Sequence, residues 1–311
     1  MGHVLIAVPD AFAAWTIARE GDAGRAWIET LPGLVRSYLD RWALTPDGPM
    51  LHGYVGIAQP VLRASLQRAV LKVSWPDAGG SSEAAALAAW EGRGAVLLLE
   101  RDDAAGVMLL ERLDPARSAR ELDRAAAAAV AGRLCRRLEA PAPPGVPRLA
   151  DVAVRWAYEL AGTWERLNRP FERRLLDTAV AVCQELGPGQ PDRLLHGNLR
   201  LDHILRGERE PWLVIDPNGM AGEPAYEVAP LLGSLCSGLG RHPDPRQLVR
   251  SRLAAFADGA GVEVERARRW ALAHHVHEAL WCREHQPDVV PFVEALVELL
   301  DAARATPRPA R

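Results

Sequence analysis

The apolar positions change their spacing several times along the chain. Trp27, Ile28, Leu31, Leu34, Val35, Tyr38, Leu39 and Trp42 recur at a helical period, with Pro32 near a break, so residues 1–45 are expected to hold a helical segment. Between residues 50 and 75 the runs shorten. Residues 54–57 and 61–62, parted by Pro60, and residues 69–73 read as strands. Ser81 and Ser82 are placed to cap a short helix that ends before Gly92. Two further strands, 95–99 and 107–110, flank a polar turn at 102–106. Beyond Pro115 the helical period returns at 117–138, 151–167, 171–186, 228–239, 245–257, 264–284 and 291–303. One stretch interrupts it. Leu194–Leu195, Ile204–Leu205 and Trp212–Ile215 are short apolar runs bounded by Gly, Pro and charge, which read as buried strands.

The pattern predicts an α+β protein with a helical segment over 1–49 and a small β-rich lobe over 50–113. A hinge at 111–115 leads into a mainly helical lobe over 114–305, and the proline-bearing tail 306–311 is expected to be disordered. A chain of 311 residues has room for two lobes, and 49% hydrophobic content suffices for their cores. A net charge of −3 supplies no global basic field for nucleic acid or an anionic membrane. Cys135, Cys183, Cys236 and Cys282 lie far apart with no CxxC, which points to buried thiols in a reducing compartment. The N-terminus lacks a signal-peptide pattern and no apolar run has the length of a membrane span, so a cytoplasmic protein is expected.

Two polar clusters, His196 to His203 and Asp216 to Asn218, fall at strand ends and can face each other across a hairpin. That layout suits phosphoryl transfer, in which one loop orients the attacking hydroxyl and the next holds a metal against the phosphates. Taken singly, each residue also has a plain structural account. Lys72 could guard an edge strand, Glu83 could complement a helix N-terminus, and Asp216 could bond its own backbone in a turn.

The stretch HGNLRLDHIL…WLVIDPNG resembles the kinase-like aminoglycoside phosphotransferase family, whose usual form is HGD-L-H-x-x-N followed by a strand ending in IDP. With the N-terminal half included, it is most similar to the streptomycin 6-phosphotransferase and hydroxyurea phosphotransferase group. The resemblance implies a two-lobed protein-kinase-like fold that uses ATP (or GTP) and Mg2+ on a small-molecule acceptor. It implies that Lys72 grips the phosphates, Glu83 orients Lys72, and the nucleotide base lies against the backbone of Glu111 to Leu113. Asp216 would hold magnesium and His196 would brace the loop. The segment Gly222–Glu227 resembles the family's GDPAYD and would anchor the loop after the metal site.

Two positions depart from the family pattern. Asn198 stands where the aspartate contacts the acceptor hydroxyl, and His203 where an asparagine holds metal. Asparagine cannot take a proton but can orient a hydroxyl, and general-base help is worth about 10²–10⁴-fold in rate. Imidazole favours zinc, copper or nickel over magnesium. Asp202 could substitute as ligand or base if the loop shifts, or simply face solvent. Two functions therefore stay open. One is ATP-dependent phosphorylation of a small polar molecule such as streptomycin. The other is a pseudokinase that binds nucleotide or metabolite without transfer.

Weaker signals complete the reading. Residues 52–56 lack the GxGxxG of a phosphate-covering loop. His274, His275 and His277, with Glu278, read as a satisfied or solvent-facing set on one helix. Glu278, Glu284, Glu294 and Glu298 are candidates to receive a guanidinium, against ordinary solvated charge. Trp270 and Trp281 could stack on a ligand or fill the core.

Overall fold

The structure, a computed structural model, describes residues 6–76 and 80–303, the side chains of residues 80 and 81 excepted. The tail at 306–311 and the Ser81 cap lie outside that description. Ser82 sits inside a helix rather than before it. Two compact units form. One takes the described residues up to Gly92 with Val96–Leu113; the other takes Arg93–Ala95 and the described residues from Asp114 on.

The first unit opens with α1 (Asp10–Arg41), whose backbone breaks at Gly21, where φ is +63°, while Pro32 stays within the helix. The strands are β1 (Leu44–Pro46), β2 (Leu51–His52), β3 (Gly56–Arg63), β4 (Arg68–Ser74), β5 (Leu98–Asp102) and β6 (Val107–Glu111), with α2 (Gly80–Trp90) after β4. They form one sheet in the order β1-β3-β4-β6-β5, with β2 also on β3. The sheet thus begins at Leu44, inside the stretch expected to be helical. β3 also runs through Pro60, which pairs opposite Val70 and whose carbonyl accepts from Asp47 N–H at 2.9 Å. Proline removes a donor but keeps its acceptor, so it interrupts the ladder without ending the strand. Phe12, Leu31 and Val35 of α1 pack with Ile57, Val61, Leu71, Val73 and Leu109 of the sheet in one buried cluster, which places α1 against this sheet.

The second unit is mainly helical, with α3 (Arg124–Arg137), α4 (Leu149–Arg166), α5 (Arg173–Leu186), α6 (Val228–Leu235), α7 (Pro245–Ala260), α8 (Val264–His285) and α9 (Val290–Ala302). Three of these helices, α3, α7 and α8, start at side chains that accept the first free N–H groups. Asp123 accepts from Ala125 and Ala126, Asp244 from Gln247 ahead of Pro245 at the first turn, and Glu263 from Arg266. α3 and α7 meet at Gly132 and Gly259, where a Cβ on either would collide with the facing backbone. Four short strands carry the polar clusters: β7 (Arg193–Leu195) pairs with β10 (Met220–Gly222), and β8 (Ile204–Leu205) with β9 (Leu213–Val214). Ala95, expected in a strand of the first sheet, instead bridges to Val214. All four cysteines are buried and free. Among the described residues no helix is long and apolar enough to cross a membrane.

Candidate functional site

Lys72 and Glu83 belong to the first unit. Lys72 lies on β4, opposite Ala58 of β3 and Met108 of β6. β4 is therefore paired on both sides, and the edge-guard account of Lys72 does not apply. Its Nζ donates to both carboxylate oxygens of Glu83 on α2, at 2.6 and 2.7 Å. The lysine side chain is 14% exposed and the glutamate 8%. A charged pair this far out of water is costly to form and costlier to break from one side. Glu83 is therefore engaged in more than complementing a helix end. Glu111 ends β6, and its carboxylate accepts from Leu97 N–H at 3.0 Å; Leu113 is the last residue of this unit. Residues 52–56 span the β2–β3 turn, with 53–55 as its loop, closed by Gly53 N–H donating to Gly56 carbonyl at 2.9 Å.

In the second unit the β8–β9 hairpin brings the two polar clusters together. Ile215 N–H donates to His203 carbonyl at 2.9 Å, and Asn218 N–H to His196 carbonyl at 2.8 Å. His196 is fully buried. Its Nε2 donates to Ile215 carbonyl at 2.9 Å, and its Nδ1 accepts from Asn198 N–H at 3.2 Å. That fixes its tautomer and gives it a bracing role, with no ring nitrogen turned to chemistry.

Asn198 spends its side-chain amide on Asp216. Nδ2 donates to the Asp216 carbonyl at 3.0 Å and to its Oδ2 at 3.2 Å. Asp216 needs that support, because its φ is +58°. The left-handed region is uncommon for any residue with a Cβ, and more so before proline. His203 Nδ1 donates to the Asn198 carbonyl at 2.8 Å, and its Nε2 faces Asp216 Oδ2 at 3.8 Å. Asn198, His203 and Asp216 therefore form one connected group.

Asp202 is not part of it. Its carboxylate lies 3.5 Å from Arg120 and 3.5 Å from Arg200, and its side chain is 41% exposed. Burial would raise its pKa, but Arg200, its own backbone N–H, His203 and Arg120 outweigh that and leave it lowered. An ion-paired carboxylate held acidic is a poor proton acceptor, so the structure argues against Asp202 as base.

Glu227 has a larger role than its place at the end of the GEPAYE segment implies. This buried carboxylate accepts from His196 N–H and from Gly197 N–H at 3.1 Å. Burial pushes it up to about 7, with the two backbone donors pulling the other way. It anchors the loop that carries Asn198, not the loop after Asp216. The sole signal was the acid closing the GEPAYE segment. Glu223 of the same segment accepts from Trp270, Arg266 and Gln190 at 3.1 Å, so Trp270 is core.

The histidine set of α8 is embedded, not solvent-facing. His274 Nδ1 lies 3.2 Å from Tyr226 Oη, His275 Nδ1 bonds Ala271 carbonyl at 2.7 Å, and His277 stacks on Trp156 with centroids 4.7 Å apart. Desolvation lowers all three pKa values, that of His277 to about 4. Of the candidate guanidinium receptors, Glu284 pairs with Arg166, Glu294 with Arg283 and Glu298 with Arg174. Glu278 instead faces His274 and His275.

The donor set departs from a magnesium site. Magnesium takes near-octahedral oxygen ligands. Asp216 supplies oxygen, but the second position presents an imidazole nitrogen, and Asn198 turns its N–H₂ toward the carboxylate. Among the described residues no group of three or more His, Cys, Asp or Glu side chains is placed to hold a metal.

Comparison with known proteins agrees with this architecture. Residues 41–286 match the family model described as aminoglycoside/hydroxyurea antibiotic resistance kinase. The chain is 39% identical over 301 residues to the streptomycin 6-kinase of Streptomyces glaucescens, covering 94% of this chain and 97% of that one. It is 39% identical over 308 residues to the hydroxyurea phosphotransferase of Kitasatospora aureofaciens, covering 97% and 87%. The solved GDP and kanamycin complex of APH(2")-IIia superposes with a TM-score of 0.57 at 15% identity, covering 88% and 99%. That likeness establishes the kinase-like α+β fold. The chain belongs to the aminoglycoside/hydroxyurea antibiotic resistance kinase family.

Proposed function

We propose that this protein transfers the γ-phosphoryl group of ATP or GTP to a hydroxyl of a small polar molecule, with streptomycin-like aminoglycosides as the first acceptors to test. The observation that carries this reading is the Lys72–Glu83 pair, formed at 2.6 Å on a central strand. Such a lysine, held by a helical glutamate, is the fixed cation that phosphoryl transfer needs against the phosphates. The Glu111 to Leu113 backbone receives the base. Asp216 would hold a divalent cation, which would neutralise charge on the phosphates. Asn198 orients the acceptor hydroxyl without taking its proton. Phosphoryl transfer rests mostly on positioning and charge neutralisation, so it survives without a strong base, at a lower rate. The buried, reduced cysteines fit a cytoplasmic setting, where nucleotide is plentiful.

The test is incubation with ATP or GTP, a divalent cation and a panel including streptomycin, other aminoglycosides and hydroxyurea. The expected result is nucleoside diphosphate together with a phosphorylated acceptor. A second reading, a nucleotide-binding pseudokinase, is favoured by the Asn198 amide, which donates to Asp216 where the family pattern has a carboxylate. Turnover by the parent refutes that second reading. A silent parent, with activity gained in the Asn198→Asp/His203→Asn double variant, refutes the first.

A further inference from the structure

We propose that His203 and Asp216 form a mixed nitrogen–oxygen site that selects a divalent transition-metal ion, such as Mn2+, over magnesium. The inference deepens the reading of Asp216 as the cation-binding residue and rests on it.

Three observations carry it. The Nδ1–H of His203 donates to the Asn198 backbone carbonyl at 2.8 Å, which leaves Nε2 as the lone-pair nitrogen. Metal-ligating histidines nearly always donate their other ring N–H in this way, because the bond fixes the tautomer and the ring orientation. That Nε2 points at Asp216 Oδ2 across 3.8 Å. Two donors each about 2.1 Å from one ion lie about 3.0–3.4 Å apart at angles of about 90–109°, so closing the bite asks for a movement of about 0.4–0.8 Å. Finally, a single residue positions both donors. The carbonyl of Asn198 holds the imidazole, and its amide holds the carboxylate and carbonyl of Asp216.

With two protein ligands the site stays open. Water and phosphate oxygens complete the shell, as is usual where a cation is shared with a nucleotide. Imidazole nitrogen favours zinc, copper or nickel most strongly over magnesium, and manganese, at the weak end of that series, serves as the spectroscopic probe of the same preference. The two departures from the family pattern then act together, residue 203 as a softer ligand and residue 198 as the brace for both ligands.

The experiment uses tag-free, metal-free full-length protein and Mn2+ alone, so it fails separately from the phosphotransferase reading. Mn2+ binding is followed by loss of the free-ion EPR signal, Mg2+ is added in competition, and pulsed EPR reports nitrogen bound directly to the ion. The expected result is a nitrogen coupling in the parent and retention of Mn2+ against excess Mg2+. In His203→Asn the coupling disappears and the preference for Mn2+ over Mg2+ falls about tenfold or more. His203→Gln repeats the test, and a metal-free melt of each variant shows whether it is folded. If both variants unfold, the parent's nitrogen coupling decides alone. Bound Mn2+ without nitrogen coupling in the parent overturns the proposal, as does a coupling that survives in a folded variant.

Discussion

Replacing Asn198 by Asp tests the site in a single substitution. The change exchanges two amide donors for a carboxylate oxygen at the same place, 3.2 Å from Asp216 Oδ2 and 3.0 Å from its carbonyl. Two unit charges 3.2 Å apart repel by about 1 kcal/mol in water and by about 5 kcal/mol at an effective dielectric of about 20. The Asp216 side chain is 42% exposed, which favours the lower figure. The lost hydrogen bonds add about 1 kcal/mol. Asn198→Asp should therefore destabilise the metal-free protein by about 2–3 kcal/mol, a fall of several degrees in melting temperature. A shared proton relieves like-charge repulsion, so the pair's folded pKa rises above the unfolded value. The folded state then keeps a proton that the unfolded chain has released, so the penalty grows as pH rises through that window. A divalent cation reverses the effect, and the variant should gain more thermal stability from Mn2+ or Mg2+ than the parent does. The assay is a melt in chelator at pH 5 and pH 8, with and without metal. An unchanged melting temperature in chelator, with equal metal shifts in both proteins, would refute the geometry assigned to Asn198.

Lys72→Met takes the lysine from the buried Glu83 carboxylate and should cost about 3–5 kcal/mol, while Lys72→Met/Glu83→Leu should recover much of it; urea unfolding of both measures this, and both should lose any nucleotide-induced thermal shift. Glu227→Gln leaves one backbone donor of the Asn198 loop unsatisfied, at a cost of about 1–3 kcal/mol. Glu227 has a folded pKa raised to about 7, so the parent holds a proton that the unfolded chain releases above its ordinary range. The parent's stability relative to Glu227→Gln should accordingly be greatest near pH 4.5 and decline as pH rises toward 7 in denaturant titrations. His277 shows the opposite sign: its folded pKa is lowered to about 4, so the unfolded chain takes up a proton first and stability falls as pH drops from about 6.5 toward 4. His277→Phe, which keeps an aromatic ring against Trp156, should flatten that slope, as read by urea unfolding at pH 7, 6 and 5.

Spacing made the helices of the second unit legible, because each buries one face and three of the seven begin at an acidic residue that caps them. It read β3 as two pieces because Pro60 looks like an interruption, when only its donor is missing. It put Ala95 in the first sheet because an apolar run does not say which sheet it joins; the pairing with Val214 is a long-range choice. Lys72 and Glu83 were identified as a pair by their positions in the family pattern, and the doubly paired strand explains why the lysine is no edge guard. The chemistry of residues 196–203 was legible only as a list of types. Nothing in sequence spacing says that the Asn198 amide points at Asp216, which depends on the bend after β9, or that Asp202 turns to two arginines, which depends on where Arg120 is brought.

That bend ties two positions into a single latch. One amide group props both the carbonyl that the left-handed turn at Asp216 sets in place and the carboxylate that the turn aims. Trimming residue 198 to alanine thus loosens the hinge and the warhead at once, and the cost of altering residue 216 depends on what stands at 198. The two positions are coupled energetically, and a substitution at either is best judged in the company of the other.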